Sequence, residues 1–354
     1  MAAQLNKARE ELAQMFLSSL DKEKLPWQQP WNTVDALAGY GMQENPVSGS
    51  RYRGINALML WVVSLDKGYI DPRWCTFKQA QEKGWNVKKG EKGTHVEFWS
   101  YYDVPNKKTL SWKEAAEIVQ NDPERRRDIK CISHVYTVFN AAQIEGIPSI
   151  DIPPPPDPEY REQLLADFSA RYLEAENIPL HTGLQAYYRP SEDSITMPPK
   201  ESFAGEMEYY DVLFHECAHS TGAAKRLNRP SSLDKRTASY AIEELRAEIA
   251  GAFILSGAGY SVSPKIRENN VAYIQSWASE IKEKPKVLFD AIKDAGIICD
   301  FVCERGELER LKADAKDMEQ VDPTSFTPEQ IEEFARRFHA AEQAPAPAQI
   351  GMTI

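Results

Sequence analysis

The sequence has no window approaching about 18 uninterrupted apolar residues, so no helix is expected to cross a membrane. Cysteine is sparse as well. The five present (Cys75, Cys131, Cys217, Cys299 and Cys303) are odd in number and include no C-x-x-C pair, which fits a reduced cytoplasmic protein with incidental thiols. The N-terminal stretch MAAQLNKAREELAQ carries charges where a secretory signal needs an apolar core, so export is not expected. No internal repeat is visible. Of the six histidines, His95, His134, His181 and His339 have no ligand-like spacing to one another and are read as non-functional.

What is there divides unevenly. The 354 residues are 42% hydrophobic and 27% charged, a globular composition, and the net charge of −11 argues against nucleic-acid binding. That average hides two halves. Residues 1–150 hold 20 Lys+Arg against 18 Asp+Glu, a charge of +2, whereas the remainder holds 22 against 35, a charge of −13. Seven of the eight tryptophans precede residue 113. The run Asp151-Ile-Pro-Pro-Pro-Pro-Asp-Pro158 falls at the same place, and four prolines in a row favour an extended spacer over helix or sheet. The expected organisation is therefore a first domain at 1–150, a Pro-rich linker at 151–158, a second domain at 159–305 and a helical or disordered tail at 306–354. In that tail Thr327-Pro328-Glu329-Gln330 can open a helix, and the last dozen residues read as disordered.

The first domain mixes elements: helical spacing over 4–20, an apolar helix over 56–65, a capping box Thr76–Gln79, and strands at 85–88, 95–102 and 132–139. The second opens with a helix at 159–176 and a hairpin of 186–189 with 194–197. Helices follow over 205–221, 238–255 and 270–303. An α+β fold class follows, with a mixed sheet-and-helix first domain. The hairpin strand 194–197 either offers an edge along which an extended polypeptide could pair or simply completes the sheet.

The chemistry sits in His215-Glu216-Cys217-Ala218-His219, an H-E-x-x-H pattern. Positions i and i+4 share a helical face, so both imidazoles can reach one metal ion, and Glu216 can serve as general base toward water there. Composition would produce the pattern by chance about once in a hundred such chains. A catalytic zinc needs a third protein ligand and an open position. Glu244 and Glu248, four apart in Ala241-Ile-Glu-Glu-Leu-Arg-Ala-Glu248, suit a third ligand and a carboxylate orienting a metal-bound His; Glu243 competes with Glu244. Cys217 should point away from the ion.

Two blocks resemble the ArdC-type antirestriction proteins carried on plasmids and other mobile elements. The first comprises Tyr52-Arg-Gly-Ile-Asn56, Trp74-Cys-Thr-Phe-Lys-Gln-Ala80, Gly84–Gly93 and Thr137–Asn140. The second comprises Tyr209-Tyr210, the H-E-x-x-H, Ser220-Thr-Gly222, Arg226-Leu-Asn-Arg229 and Tyr240–Glu248. The resemblance implies an N-terminal domain that binds single-stranded DNA, a zincin-like metallopeptidase domain using Zn²⁺, and protection of incoming DNA from restriction. Residues 51–92 agree with it: nine Lys+Arg against four Asp+Glu, interleaved with aromatics, supply cations for phosphates and faces for bases. Candidate DNA contacts are Arg51, Tyr52, Arg53, Asn56, Trp74, Lys88, Lys89 and Lys92. A protein substrate on or near DNA would complete the picture. The rival readings are a DNA-binding protector with a structural or vestigial metal site, and a protease whose first domain binds a protein.

Overall fold

The computed structural model describes residues 6–26, 43–150, 158–229, 237–260 and 268–319. The proline run, the Thr327–Gln330 capping box and the C-terminal tail lie outside these residues. The chain divides into two compact units, Met1–Glu307 and Leu308–Ile354. The fold of the first is α+β.

Its N-terminal half contains α1 (Lys7–Leu20), α2 (Gly54–Lys67), β1 (Trp74–Thr76), α3 (Phe77–Glu82), β2 (Asn86–Val87), β3 (Thr94–Asp103), β4 (Lys108–Leu110), α4 (Trp112–Asn121), β5 (Ile129–Asn140) and β6 (Ile144–Glu145). Four strands form an antiparallel sheet in the order β1-β5-β3-β4, and β2 with β6 makes a separate ribbon. The long β3–β5 pairing sets the frame, from Thr94 opposite Val138 to Asp103 opposite Ile129. The capping boxes at Thr76–Gln79 and Ser111–Glu114 both form in full, opening α3 and α4. β1, β4 and β6 are too short for period-2 patterning to betray them, and only their partners stabilise them.

Helix α2 is apolar on most of its circumference because it is covered on most sides. Leu60 packs with Trp74, Val96 and Val138 on one face of the sheet, and Trp61 meets Phe253 at 6.5 Å between ring centroids. The helix stops at Gly68, whose φ of +67° lies in the left-handed region that favours glycine. Helix α1 packs against part of the opposite sheet face, at His95 and Glu97. Its Arg9 forks onto buried Glu97 (Nε to Oε2 2.8 Å, Nη2 to Oε1 2.9 Å) and lies over Trp99 and Phe289, 5.5 and 4.9 Å from their centroids.

The C-terminal half contains α5 (Pro158–Ala175), β7 (Leu180–Thr182), β8 (Tyr187–Arg189), β9 (Ser194–Met197), α6 (Glu206–Ser220), α7 (Ala238–Gly257), α8 (Glu268–Glu283) and α9 (Lys286–Arg305). Helix α7 is buried almost continuously from Leu245 to Ser256 and forms the centre around which α6, α8 and α9 pack. The three-stranded sheet has the order β7-β9-β8, with β7 parallel and β8 antiparallel to β9. This corrects the expectation that 194–197 offers an edge: β9 is the middle strand, both its sides are taken, and all four residues are buried. The edge strands are β7 and β8. The second unit contributes α10 (Leu308–Glu319). Among the described residues no helix is long and apolar enough to cross a membrane.

Candidate metal centre

Helix α6 carries the H-E-x-x-H, and the 3.6-residue period places His215 and His219 one turn apart on the face turned to α7. Their Nε2 atoms approach to 3.1 Å with the rings nearly perpendicular, at 85°. Glu244, from α7, straddles the pair, with Oε2 3.5 Å from His215 Nε2 and Oε1 3.5 Å from His219 Nε2. The three side chains can offer ligand atoms that all lie within 4.8 Å of one another. Each imidazole has a second carboxylate on its far side. Glu248 Oε2 is 3.4 Å from His215 Nδ1, and Glu243 Oε1 is 3.6 Å from His219 Nδ1. Such partners put the proton on Nδ1 and turn Nε2 toward the shared centre.

Glu216 stands beside this triad, with Oε2 accepting the Tyr188 backbone N–H of β8 at 2.8 Å. The sheet edge thereby fixes the carboxylate. Cys217 lies on the far side of α6 in the core, where burial pushes its thiol far up. Two further groups, both within the blocks that carry the resemblance but given no role from the sequence, support the site. Arg229 binds Glu243 Oε1 at 2.7 Å and Thr221 Oγ1 at 2.6 Å, tying the loop after α6 to α7. Tyr240 precedes Glu244 by one helical turn; burial and hydrogen bonds to Glu244 and Tyr273 hold its phenol far above the usual range. The i−4 spacing of Tyr240 was the available signal for its neighbourhood to Glu244.

Electrostatics and geometry both suit a divalent cation. Glu216, Glu243, Glu244 and Glu248 are all buried around the two histidines. Burial alone would lower the His219 pKa, yet Glu243 and Glu244 outweigh it and push it up to about 10. The imidazoles hold Glu244 far below the usual carboxylate range despite its burial. The pocket thus attracts positive charge, which protons or a metal can supply. With metal–nitrogen bonds of about 2.0–2.1 Å at tetrahedral angles, donor atoms sit about 3.3 Å apart. The two Nε2 atoms at 3.1 Å, and each of them 3.5 Å from one or other oxygen of Glu244, lie close to that value.

Arg226 secures the floor. Its side chain is 0% exposed and donates to Asp193 Oδ1 (2.7 Å) and Oδ2 (3.0 Å), Glu176 Oε2 (2.9 Å) and the Ser220 carbonyl (3.0 Å). Burial would raise the Asp193 pKa, but hydrogen bonds from Arg226, Lys225 and Tyr188 prevail and hold it at about 2. A depressed folded-state pKa contributes stability that is complete above the ordinary value of about 3.9 and lost as pH falls through the folded one. Asp193→Asn should therefore flatten the decline of melting temperature between about pH 4 and pH 2. Melts across that range check it, and an unchanged slope would assign the acid sensitivity to other groups.

The proposed DNA contacts are scattered. Arg51, Arg53, Lys88, Lys89 and Lys92 are exposed, and Lys88 Nζ donates to the Ala142 carbonyl at 2.8 Å. Tyr52 is half-buried, and burial pushes its phenol up to about 12 while its Oη donates to the Trp74 carbonyl at 3.2 Å. Asn56 spends its amide on the backbone of Glu97, donating to O at 2.6 Å and accepting from N at 2.8 Å. Trp74 is 0% exposed and donates Nε1 to Gln43 at 2.6 Å, so its ring offers no face to a base.

Comparison with known proteins follows the same division. Residues 6–139 match the family described as the N-terminal domain of anti-restriction factor ArdC, and residues 167–294 match the zincin-like metallopeptidase family. Two Escherichia coli proteins named DNA primase TraC are each 34% identical over 83% of this chain, which spans only 27% and 20% of their lengths. The uncharacterised protein y4eC of Sinorhizobium fredii is 31% identical over 83% of this chain and 90% of its own. Crystal structures of the antirestriction protein ArdC from plasmid R388 superpose over 85% of this chain and 98% of theirs. The metal-free form gives a TM-score of 0.63 at 29% identity, and the Mn(II)-bound form 0.62 at 30%.

Proposed function

The chain belongs to the ArdC antirestriction family and carries its zincin-like metallopeptidase domain, and on that premise we propose that it binds single-stranded DNA and hydrolyses a peptide bond. The first activity belongs to residues 1–150 and the second to 159–305. The observation that carries the reading is the convergence of His215, His219 and Glu244 beside a buried carboxylate held by a sheet edge.

In this reading His215, His219 and Glu244 hold Zn²⁺, with Glu248 and Glu243 orienting the two imidazoles from behind. A zinc ion there supplies Lewis acidity and lowers the pKa of water to about 7. Tyr188 N–H holds Glu216 Oε2, which leaves Oε1 to take the water's proton and return it to the leaving amine. His219 and Arg229 together outweigh burial and keep Glu243 ionised, and Arg229 holds its Oε1 beside His219. The R388 protein was crystallised with Mn(II), so the identity of the ion is part of the test. Because a purely structural site has no need of Glu216, the motif itself favours hydrolysis over a vestigial site.

DNA held by the first half would bring a bound protein to the second. Two relatives are named DNA primase, which supports a role with DNA. The direct test is purified full-length protein. One equivalent of zinc per chain, by elemental analysis, and tighter binding to a single-stranded oligonucleotide than to its duplex are expected. A chain that binds no metal, or binds both DNA forms alike, refutes the corresponding half.

A further inference from the structure

One face of the β3–β5 sheet gathers exposed rings. In an antiparallel pair, residues opposite each other share a face. Phe98 opposite His134, Ser100 opposite Ile132, Tyr102 opposite Lys130 and Tyr136 opposite Val96 therefore lie together. At the near end Val96 is covered by α2. Beyond it the face is open: Phe98 is 57% exposed and Tyr136 47%, and Ile132 and His134 are exposed too. The rings are not scattered. Phe98 and Tyr136 meet edge-on with centroids 6.2 Å apart, and His134 lies 6.5 Å from Tyr136 with Nε2 3.3 Å from Ser100 Oγ.

Charge is sorted across the same sheet. Both carboxylates of β3 point to the other face, where Glu97 is bound by Arg9 and Asp103 by Arg125. The aromatic face carries no carboxylate between Thr94 and Tyr102 or between Lys130 and Val138, and it carries Lys130 and His134. Asn56 ties the first turn of α2 to the backbone of Glu97, the neighbour of Phe98, which sets the exposed helix-capping Arg53 toward this end. Exposed aromatics interleaved with cations and free of acid match what unpaired bases and their phosphates require. A duplex, with its bases stacked inside, cannot use the rings.

We propose that this face, with Phe98 and Tyr136 as its stacking rings, Lys130 and Arg53 flanking them and His134 between, is where single-stranded DNA binds. The proposal rests on the single-stranded-DNA reading above and moves its site from buried Trp74 to the open sheet. His134, with no ligand spacing in the sequence, acquires a role by being opposite Phe98.

The experiment is fluorescence anisotropy of a labelled oligothymidylate with full-length protein. Phe98→Ala with Tyr136→Ala should weaken binding at least about 30-fold, since each lost stacking partner costs roughly 5–150-fold. Phe98→Trp with Tyr136→Phe keeps the rings and should keep the affinity within about three-fold. Lys130→Ala should lower the slope of log affinity against log salt by about one. If wild type binds and the double-alanine variant binds equally, the platform is wrong and the single-stranded-DNA reading stands. If the ring-keeping variant loses as much as the alanine variant, stacking is not the mechanism. If wild type itself does not bind, the underlying reading falls and the platform with it.

Discussion

Glu216→Gln is expected to lower peptide hydrolysis by about 10²–10⁴-fold while metal content and melting temperature stay at wild-type values. Gln is the informative replacement because its side-chain oxygen can still accept the Tyr188 N–H, so the tie between α6 and β8 survives. What disappears is the ability to take a proton. Alanine would also remove that tie and confuse a catalytic loss with a structural one. Cleavage of a DNA-associated protein, followed by mass of the products, reads the effect. Full activity in the Gln variant would remove Glu216 as the base. Undiminished antirestriction in a Gln variant that no longer cleaves would assign protection to DNA binding alone.

The helical period alone is enough to foresee that His215 and His219 share a face and that Glu244 and Glu248 share another. These are local facts. Which carboxylate stands between the two Nε2 atoms is not local: it depends on how α7 packs against α6. Glu243 and Glu244 are adjacent in sequence, yet one lies between the imidazoles and the other behind His219 against Arg229. Exposure is less legible still. Tyr52, Trp74 and Phe98 are all aromatics of one mixed half, and nothing in composition separates them. Trp74 vanishes because it sits on a three-residue strand under α2, while Phe98 stays open because the cover ends one residue pair earlier. The strand order β7-β9-β8 was equally hidden, since a hairpin in sequence does not reveal a third strand arriving in parallel on its other side.

The two sheet faces of β3 explain each other. Glu97 and Trp99 turn toward α1, and Arg9 joins both to Phe289 of α9. That anchorage buries Glu97 on one face, although Trp99 and Val135 beside it stay partly in water, while on the other face α2 covers Val96 and leaves Phe98 open. A strand with polar and apolar residues on both sides looks ambiguous in sequence. Here the two carboxylates of β3 are the buried groups, each satisfied by a half-buried arginine, and Phe98 and Tyr136 are in water, a reversal of the ordinary alternation at those positions.

Glu244→Ala should weaken divalent-metal binding by more than the about 10–100-fold that removing an outer hydrogen-bond partner of a ligand costs, and Glu248→Ala should fall within that range. The two residues are one turn apart on α7 and about equally buried, so the comparison separates ligation from orientation. Stability supplies an independent readout. A metal that binds only the folded state adds about 4 kcal/mol at 1,000 times its dissociation constant, so the wild-type melting temperature should climb with added zinc. In the Glu244→Ala chain that climb should nearly vanish, because two imidazoles remain without the oxygen that closes the triangle. The metal-stripped variant should itself melt lower than metal-stripped wild type, since the buried imidazoles lose the carboxylate that pairs with them, so the readout is the zinc-dependent rise above each chain's own metal-free baseline. A variant that keeps stoichiometric zinc and the full zinc-dependent rise would take Glu244 out of the ligand set and leave Glu243 as the carboxylate to test.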